Sequence, residues 1–225
     1  MNTAASFLQL ATQRRSVRAY LPTPVPDDVL HAVLVQARLA PSGANLQPGS
    51  LVQVRGVVRE ALTADLLDAF QQGREEAEDY SYFPQPMPHT LRRRQVAAAQ
   101  ALYGALGVAR DDRAGRDAQF ERNFRFFDAP VALIVTMPHD MGSGCYMDLG
   151  MALYGLMLAA QAEGLATCAI GALASYPSLI RQHLGLDEAS VVVCGIALGY
   201  ADPQASVNQT RTERCDLDAY FKVLG

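Results

Sequence analysis

The chain has 225 residues, 50% hydrophobic and 19% charged, with a net charge of −4. This is the profile of a soluble globular protein long enough to bury a substantial core, and an acidic balance does not suit a nucleic-acid-binding surface. Its four cysteines (Cys145, Cys168, Cys194, Cys215) lack CxxC spacing and neighbouring histidines, and no histidine pair has metal-ligand spacing, which argues against zinc, dithiol and metal chemistry.

Ala4 to Gln13 is weakly amphipathic and reads as a short helix ending at Arg14-Arg15. Arg14, Arg15, Ser16 and Arg18 then compress three guanidinium groups and a hydroxyl into five positions. Pro22, Pro24 and Pro26 impose an extended connection. Asp27 to Arg38 is predicted helical, with Asp27 and Asp28 in the first turn, where the helix dipole favours them. Ala40 to Gly49 is a loop rich in turn residues, and Ser50 to Gly56 alternates polar and apolar residues as a strand does.

Val57 to Glu78 reads as a helix. From Asp79 to His89 aromatic residues and prolines replace the pattern, which excludes regular structure and suggests a long excursion or lid. Arg92 to Leu106 and Asp111 to Phe126 are charged, partly exposed helices. Ala129 to Met137 is a continuous apolar run, the mark of a strand covered on both faces. Ala166 to Ala172 is a strand running into a glycine turn, Pro177 to Leu184 a short helix, and Ser190 to Gly199 the most β-prone run. The tail from Tyr200 is a loop that carries Asn208, Arg211 and Arg214 and ends in a short segment, Tyr220 to Val223.

Between these lies Cys145 to Gly164, apolar on every side except for Asp148, Gln161 and Glu163. Such a helix is buried all round, in a domain core or a dimer core. A membrane span is the competing reading on length, but Asp148, Gly150 and Gly155 interrupt it and no Lys/Arg cluster flanks it. Three cysteines in apolar runs and no recognisable signal peptide fit a reducing cytoplasm. With no repeat or linker, the pattern predicts a single α+β domain over residues 1–225.

Chemistry could sit in three places. The arginines can bind a phosphate in bidentate fashion, with Ser16 adding a hydrogen bond; the plainer alternative is a solvated basic turn. Ser42, Asn45 and Gln47 in a rigid loop can read a polar heterocycle, or form an Asx-type turn without a ligand. Gly171, just past a strand, can admit a flat ligand close to the backbone, and Arg211 can supply another cation. No G-x-S-x-G, G-x-G-x-x-G or phosphate-binding P-loop is present, and a phosphate site beside a heterocycle site without acid-base machinery suggests that a cofactor carries the reaction.

Arg14 to Tyr20 followed by Ala40 to Pro48 resembles the paired N-terminal signature of the FMN-dependent nitroreductase family. The similarity continues through Glu163 to Cys168, Gly195 to Tyr200 and Val207 to Arg211, and Asn123 to Pro130 resembles the subgroup that includes nitrobenzoate reductases. The resemblance implies a three-layer α+β sandwich with a mixed, mainly antiparallel central sheet, assembled as a domain-swapped homodimer with FMN at the interface. It implies that Arg14, Arg15, Ser16 and Arg211 grip the FMN phosphate and that Arg18 faces the pyrimidine edge. Pro41, Ser42, Gly43 and Asn45 would come from the partner subunit with Gln47 nearby, while Ala169, Ile170 and Gly171 pass along the flavin. The activity implied is ping-pong transfer from NAD(P)H, through FMN, to a nitroaromatic, quinone or similar acceptor. Enone reduction, dehalogenation and non-catalytic flavin binding are the alternatives. By composition alone, Tyr80 to Pro88 and Phe124 to Phe127 are candidate acceptor-pocket segments, or equally ordinary packing at a domain edge. Gly49 stands where many members have Trp, and Gln209 where some have Lys.

Overall fold

The structure is a computed structural model that describes residues 6–225; Ala4 and Ala5 of the first predicted helix lie outside the described residues. In chain order it has α1 (Phe7–Gln13), α2 (Asp27–Ala37), β1 (Ser50–Val54), α3 (Gly56–Gln71), α4 (His89–Leu106) and α5 (Arg113–Glu121). There follow β2 (Val131–Pro138), α6 (Ser143–Ala162), β3 (Ala166–Ile170), α7 (Pro177–Leu184), β4 (Ser190–Gly199) and α8 (Leu217–Tyr220).

The strands form one sheet in the order β1-β2-β4-β3, and every ladder is antiparallel. The four strands are therefore not the mixed sheet expected; the N-terminal segment adds only isolated bridges beside them, Ser16 to Thr167 parallel and Tyr20 to Ala201 antiparallel. β2 and β4 are buried along nearly their whole length, so their side chains feed two cores by alternation. Leu133, Val135 and Met137 face Leu30 and Val33 of α2 and Leu149 and Leu156 of α6. Ala132 and Ile134 face Leu62 and Leu66 of α3 and Leu179 and Ile180 of α7. Helices on both faces of the sheet make three layers.

Several boundaries differ from the sequence expectation, each for a local reason. α3 stops at Gln71 rather than Glu78 because Gly73 takes a left-handed φ of 65° and turns the chain. α5 is capped by the Asp112 side chain and ends at Glu121, not Phe126. Beyond it Phe126, Phe127 and Asp128 all have φ between 52° and 60°, a left-handed run without glycine. That turn drives Phe124, Phe126 and Phe127 into the core, so Phe124 to Phe127 do not form the acceptor pocket expected of them. β3 gives way at Gly171 to a 3-10 turn, Gly171–Ser175, and the final helical turn falls at Leu217–Tyr220.

The apolar helix α6 is covered on one side only within a chain. Leu149, Leu156, Ala159 and Ala160 pack inward, whereas Met147, Met151 and Tyr154, at positions i, i+4 and i+7, stay exposed, Met147 to 67%. Among the described residues no helix is long and apolar enough to cross a membrane.

β4 carries a bulge, because Val135 pairs with Cys194 and Thr136 with Val192, leaving Val193 as the extra residue. β3 pairs with β4 only from Gly195 onward. At Gly195 an added Cβ would drive into Leu173 Cδ1 and stand 3.2 Å from Phe126 Cε1. Gly195→Ala should therefore cost about 1–3 kcal/mol through overpacking and lower the melting midpoint by several degrees; an unchanged midpoint in a thermal scan would show that this packing is looser than described.

Candidate active site

α1 is closed at its start by a capping box between Ser6 and Gln9 and ends as Arg14 leaves helical geometry. The chain then runs along the outer edge of β3, with the Val17 N–H donating to the Thr167 carbonyl at 3.0 Å. Asn208, 1% exposed, fastens the same stretch from the tail side. Its Oδ1 accepts the Arg18 N–H at 2.9 Å, and its Nδ2 donates to the carbonyls of Ala19 at 2.8 Å and Asp202 at 2.9 Å. An extended backbone pinned at both ends leaves side chains free to point outward.

Arg14, Arg15, Ser16 and Arg18 meet Thr210, Arg211, Thr212 and Arg214 around a cavity of about 310 Å³. No acidic side chain among the described residues lines it. Among the described residues, none of these five arginines forms an ion pair. Burial, then the neighbouring Arg211, pulls the Arg15 guanidinium below its ordinary pKa. Arg15 Nε is buried with no hydrogen-bond partner, a donor aimed at nothing the chain supplies. Gathered cations and an orphaned donor fit an anion with several acceptor oxygens, such as a phosphate monoester. Arg18 is steadied by its own Nη1, which donates to the Ser16 carbonyl at 3.3 Å, and by the Phe127 ring, whose centroid lies 6.0 Å away.

The second predicted stretch lies elsewhere on the chain. Ser42 is extended and Gly43–Asn45 is a 3-10 turn, with Ala44, Asn45 and Gln47 at φ of 48°, 56° and 49°. The Gly43 N–H donates to Asp148 Oδ2 at 2.9 Å, and the Gln47 N–H to Ser42 Oγ at 2.9 Å. Pro41, Ser42 and Gln47 line a separate cavity of about 520 Å³, with apolar side chains of α2 and α6. Gly49, where many members of the family it resembles carry Trp, has φ of 95°, and a Cβ there would stand 2.6 Å from Leu149 Cδ1.

The third stretch continues from the first along β3. Because the Thr167 carbonyl faces away from β4, alternation turns the backbone groups of Ala169 the same way, and the strand then gives way to the turn at Gly171. Four residues at roughly 3.3 Å each put Gly171 about 13 Å along β3 from the Ser16 bridge. Ile170 is buried, Ala169 is exposed, and the Tyr82 ring lies on Gly171, where a Cβ would meet Cε2 at 3.1 Å.

Within one chain, then, Arg14, Arg15, Ser16, Arg18 and Arg211 share a cavity, Ala169, Ile170 and Gly171 extend from it, and Pro41, Ser42, Gly43, Asn45 and Gln47 stand apart. The sequence reading left out Arg214, Asn208 and Asp148 as site-building residues. Asp148 had a visible signal, as the one charge near the start of an apolar helix; Asn208 and Arg214 had only their place in the tail.

Two thiols are sealed beneath this region. Burial raises the Cys168 pKa against the opposing pull of Arg18, Ser16 and Arg14, and burial pushes Cys194 up to about 12. A raised thiol pKa stabilises the fold fully below the unfolded value, and this contribution is lost as pH rises toward the folded one. At pH 8 a disulfide reagent should label exposed Cys215 rapidly and leave Cys168 and Cys194 unmodified until the protein is denatured; rapid labelling of all four cysteines would contradict this burial.

A family model described as "Nitroreductase family" matches residues 11–200. The chain is 37% identical to a 4-nitrobenzoate reductase of Pseudomonas putida, covering 92% of this chain and 91% of the relative. It is 35% identical to a chloronitrobenzene nitroreductase of Comamonas testosteroni, covering 98% and 97%. The crystal structure of the FMN and NADPH-dependent nitroreductase NfnB from Sphigopyxis sp. strain HMH superposes with a TM-score of 0.95 at 35% identity, covering 98% of this chain and all of that one. The FMN-dependent NfnB from Mycobacterium smegmatis in complex with NADPH gives 0.90 at 31% identity, covering 98% and 100%.

Proposed function

The chain belongs to the nitroreductase family, and we propose that it is an FMN-dependent oxidoreductase that uses NAD(P)H to reduce nitroaromatic compounds, with quinones as further acceptors. The observation that carries this reading is the uncompensated arginine cavity with its orphaned Arg15 Nε, set at one end of an exposed strand edge that leads to Gly171. A ligand with a phosphate at one end and a flat ring at the other suits that layout. FMN, when bound, supplies the hydride and electron transfer that no side chain here can perform.

Arg14, Arg15, Ser16 and Arg211 hold the phosphate, and Arg214 adds positive potential. Arg18 stands near the pyrimidine edge, where its charge favours electron uptake by the ring. Ala169 to Gly171 offer outward backbone groups along the ring, with the Gly171 N–H as a donor. Tyr82, resting on Gly171 yet 55% exposed, presents an aromatic surface beside which a planar acceptor can stack. Nicotinamide and acceptor occupy that one place in turn, which makes the kinetics ping-pong.

Pro41, Ser42, Gly43, Asn45 and Gln47 complete the site of a second copy, in a homodimer. Three features of the single chain support this assembly: the exposed apolar α6 stripe, the open hydrogen-bonding edge of β1, and the exposed tail residues Leu217, Tyr220, Phe221, Val223 and Leu224. The tail is the segment exchanged between subunits.

The direct test is the visible spectrum of the purified protein before and after anaerobic NADPH, then NADH. Flavin bands that bleach are expected; bands that persist with both nucleotides would refute the reductase reading. A second test separates cofactor binding from assembly. Arg14→Ala/Arg15→Ala should lose FMN while still sedimenting as a dimer of 24.3 kDa chains. Stoichiometric FMN in that variant would show that the arginine cavity is not the phosphate site, and a wild-type monomer would remove the shared-site arrangement.

A further inference from the structure

The segment between α3 and α4, expected to be a free excursion or lid, is fastened at its root to a stretch of β4 that β3 leaves uncovered. β3 covers β4 only from Gly195, so Val192 and Val193, at the bulge, face no strand on that side. Their backbone groups are met by side chains of the segment. Asp79 Oδ2 accepts the Val192 N–H at 2.9 Å, and the Tyr80 hydroxyl donates to the Val193 carbonyl at 2.7 Å.

Asp79 also takes Arg181 Nη1 on both oxygens, at 2.9 and 2.7 Å, and the same nitrogen donates to the Ser190 carbonyl at 3.1 Å. Both partners of this pair are shielded, with side chains 15% and 11% exposed, so removing either one leaves the other as an uncompensated, partly buried charge. Upstream, Glu76 accepts the N–H groups of Ser178 and Leu179 in the first turn of α7. Downstream, the Tyr80 ring packs on Tyr146 of α6 at 5.3 Å, and Tyr82, 6.2 Å from Tyr80, reaches Gly171. Burial holds the Tyr80 hydroxyl protonated and therefore a donor.

We propose that Asp79, acting with Arg181 and Tyr80, is a positioning residue for the acceptor site: it fixes the backbone two and three residues before Tyr82, so that the Tyr82 ring is preset against Gly171. This rests on the reading above that the acceptor stacks beside Tyr82. The segment is then a fixed wall through Tyr82, and any motion belongs to the exposed tip from Phe83 onward. A preset ring loses less freedom when an acceptor stacks, so its release appears as weaker binding.

The test is the dissociation constant of 4-nitrobenzoate for the oxidised, FMN-loaded protein, measured by calorimetry without reductant. Asp79→Asn should weaken binding roughly tenfold and Tyr80→Phe roughly threefold, with FMN content unchanged. In a Tyr82→Ala background, itself weaker, adding Asp79→Asn should change the constant by less than about twofold, because residues acting through one another are not additive. If Tyr82→Ala weakens binding but Asp79→Asn and Tyr80→Phe do not, or if the effects add in full, the positioning role is overturned while the Tyr82 site stands. If Tyr82→Ala has no effect, the acceptor reading fails and the positioning role falls with it. Should Asp79→Asn fail to fold, Tyr80→Phe alone and with Tyr82→Ala decides the same question.

Discussion

Gathering like charges costs free energy, and this fold meets that cost with backbone rather than with carboxylates. Arg14, Arg15, Arg18, Arg211 and Arg214 come from two segments far apart in sequence, which would separate if free. The parallel bridge of Ser16 to Thr167 holds one segment to the sheet, and two hydrogen bonds of buried Asn208, to Arg18 and Ala19, tie it to the tail, which a third to Asp202 braces. Because those attachments are uncharged, the cations stay uncompensated and the cavity keeps its demand for an anion. An aspartate in place of Asn208 could not donate to the Ala19 and Asp202 carbonyls and would bring a negative charge close to the arginines.

The same economy governs the two faces of the sheet. β2 and β4 are apolar at nearly every position and are satisfied only with helices above and below. α6 provides one cover and leaves an apolar stripe of its own, so the layer that closes the core of one chain also exposes a surface. The same helix, through buried Asp148, also anchors the loop at Gly43.

What the sequence disclosed follows period and composition. The apolar runs of β2 and β4, the dipole-favoured start of α2 and the all-round apolar α6 were legible because each is a local property. The arginines were legible as a cluster, but not their compensation, since the absence of an acidic neighbour is a fact of three dimensions. Glu76, Asp79 and Tyr80 read as part of a helix end and a loose aromatic stretch, because their partners in α7 and β4 lie about a hundred residues away. Likewise, the aromatic run Phe124 to Phe127 looked like a pocket by composition; only the left-handed turn of the backbone sends it inward.

That turn constrains how the protein can vary. Phe126 and Phe127 are fully buried, which by itself would admit valine or isoleucine, yet they hold φ values that branched side chains resist. Asparagine and glycine tolerate such backbone angles but leave a polar group or a void in the core. Chirality closes one set of exchanges and hydrophobicity the other. Two core positions that nominally ask only for a greasy side chain are thereby restricted to unbranched, bulky ones, and drift elsewhere in the core has to accommodate them.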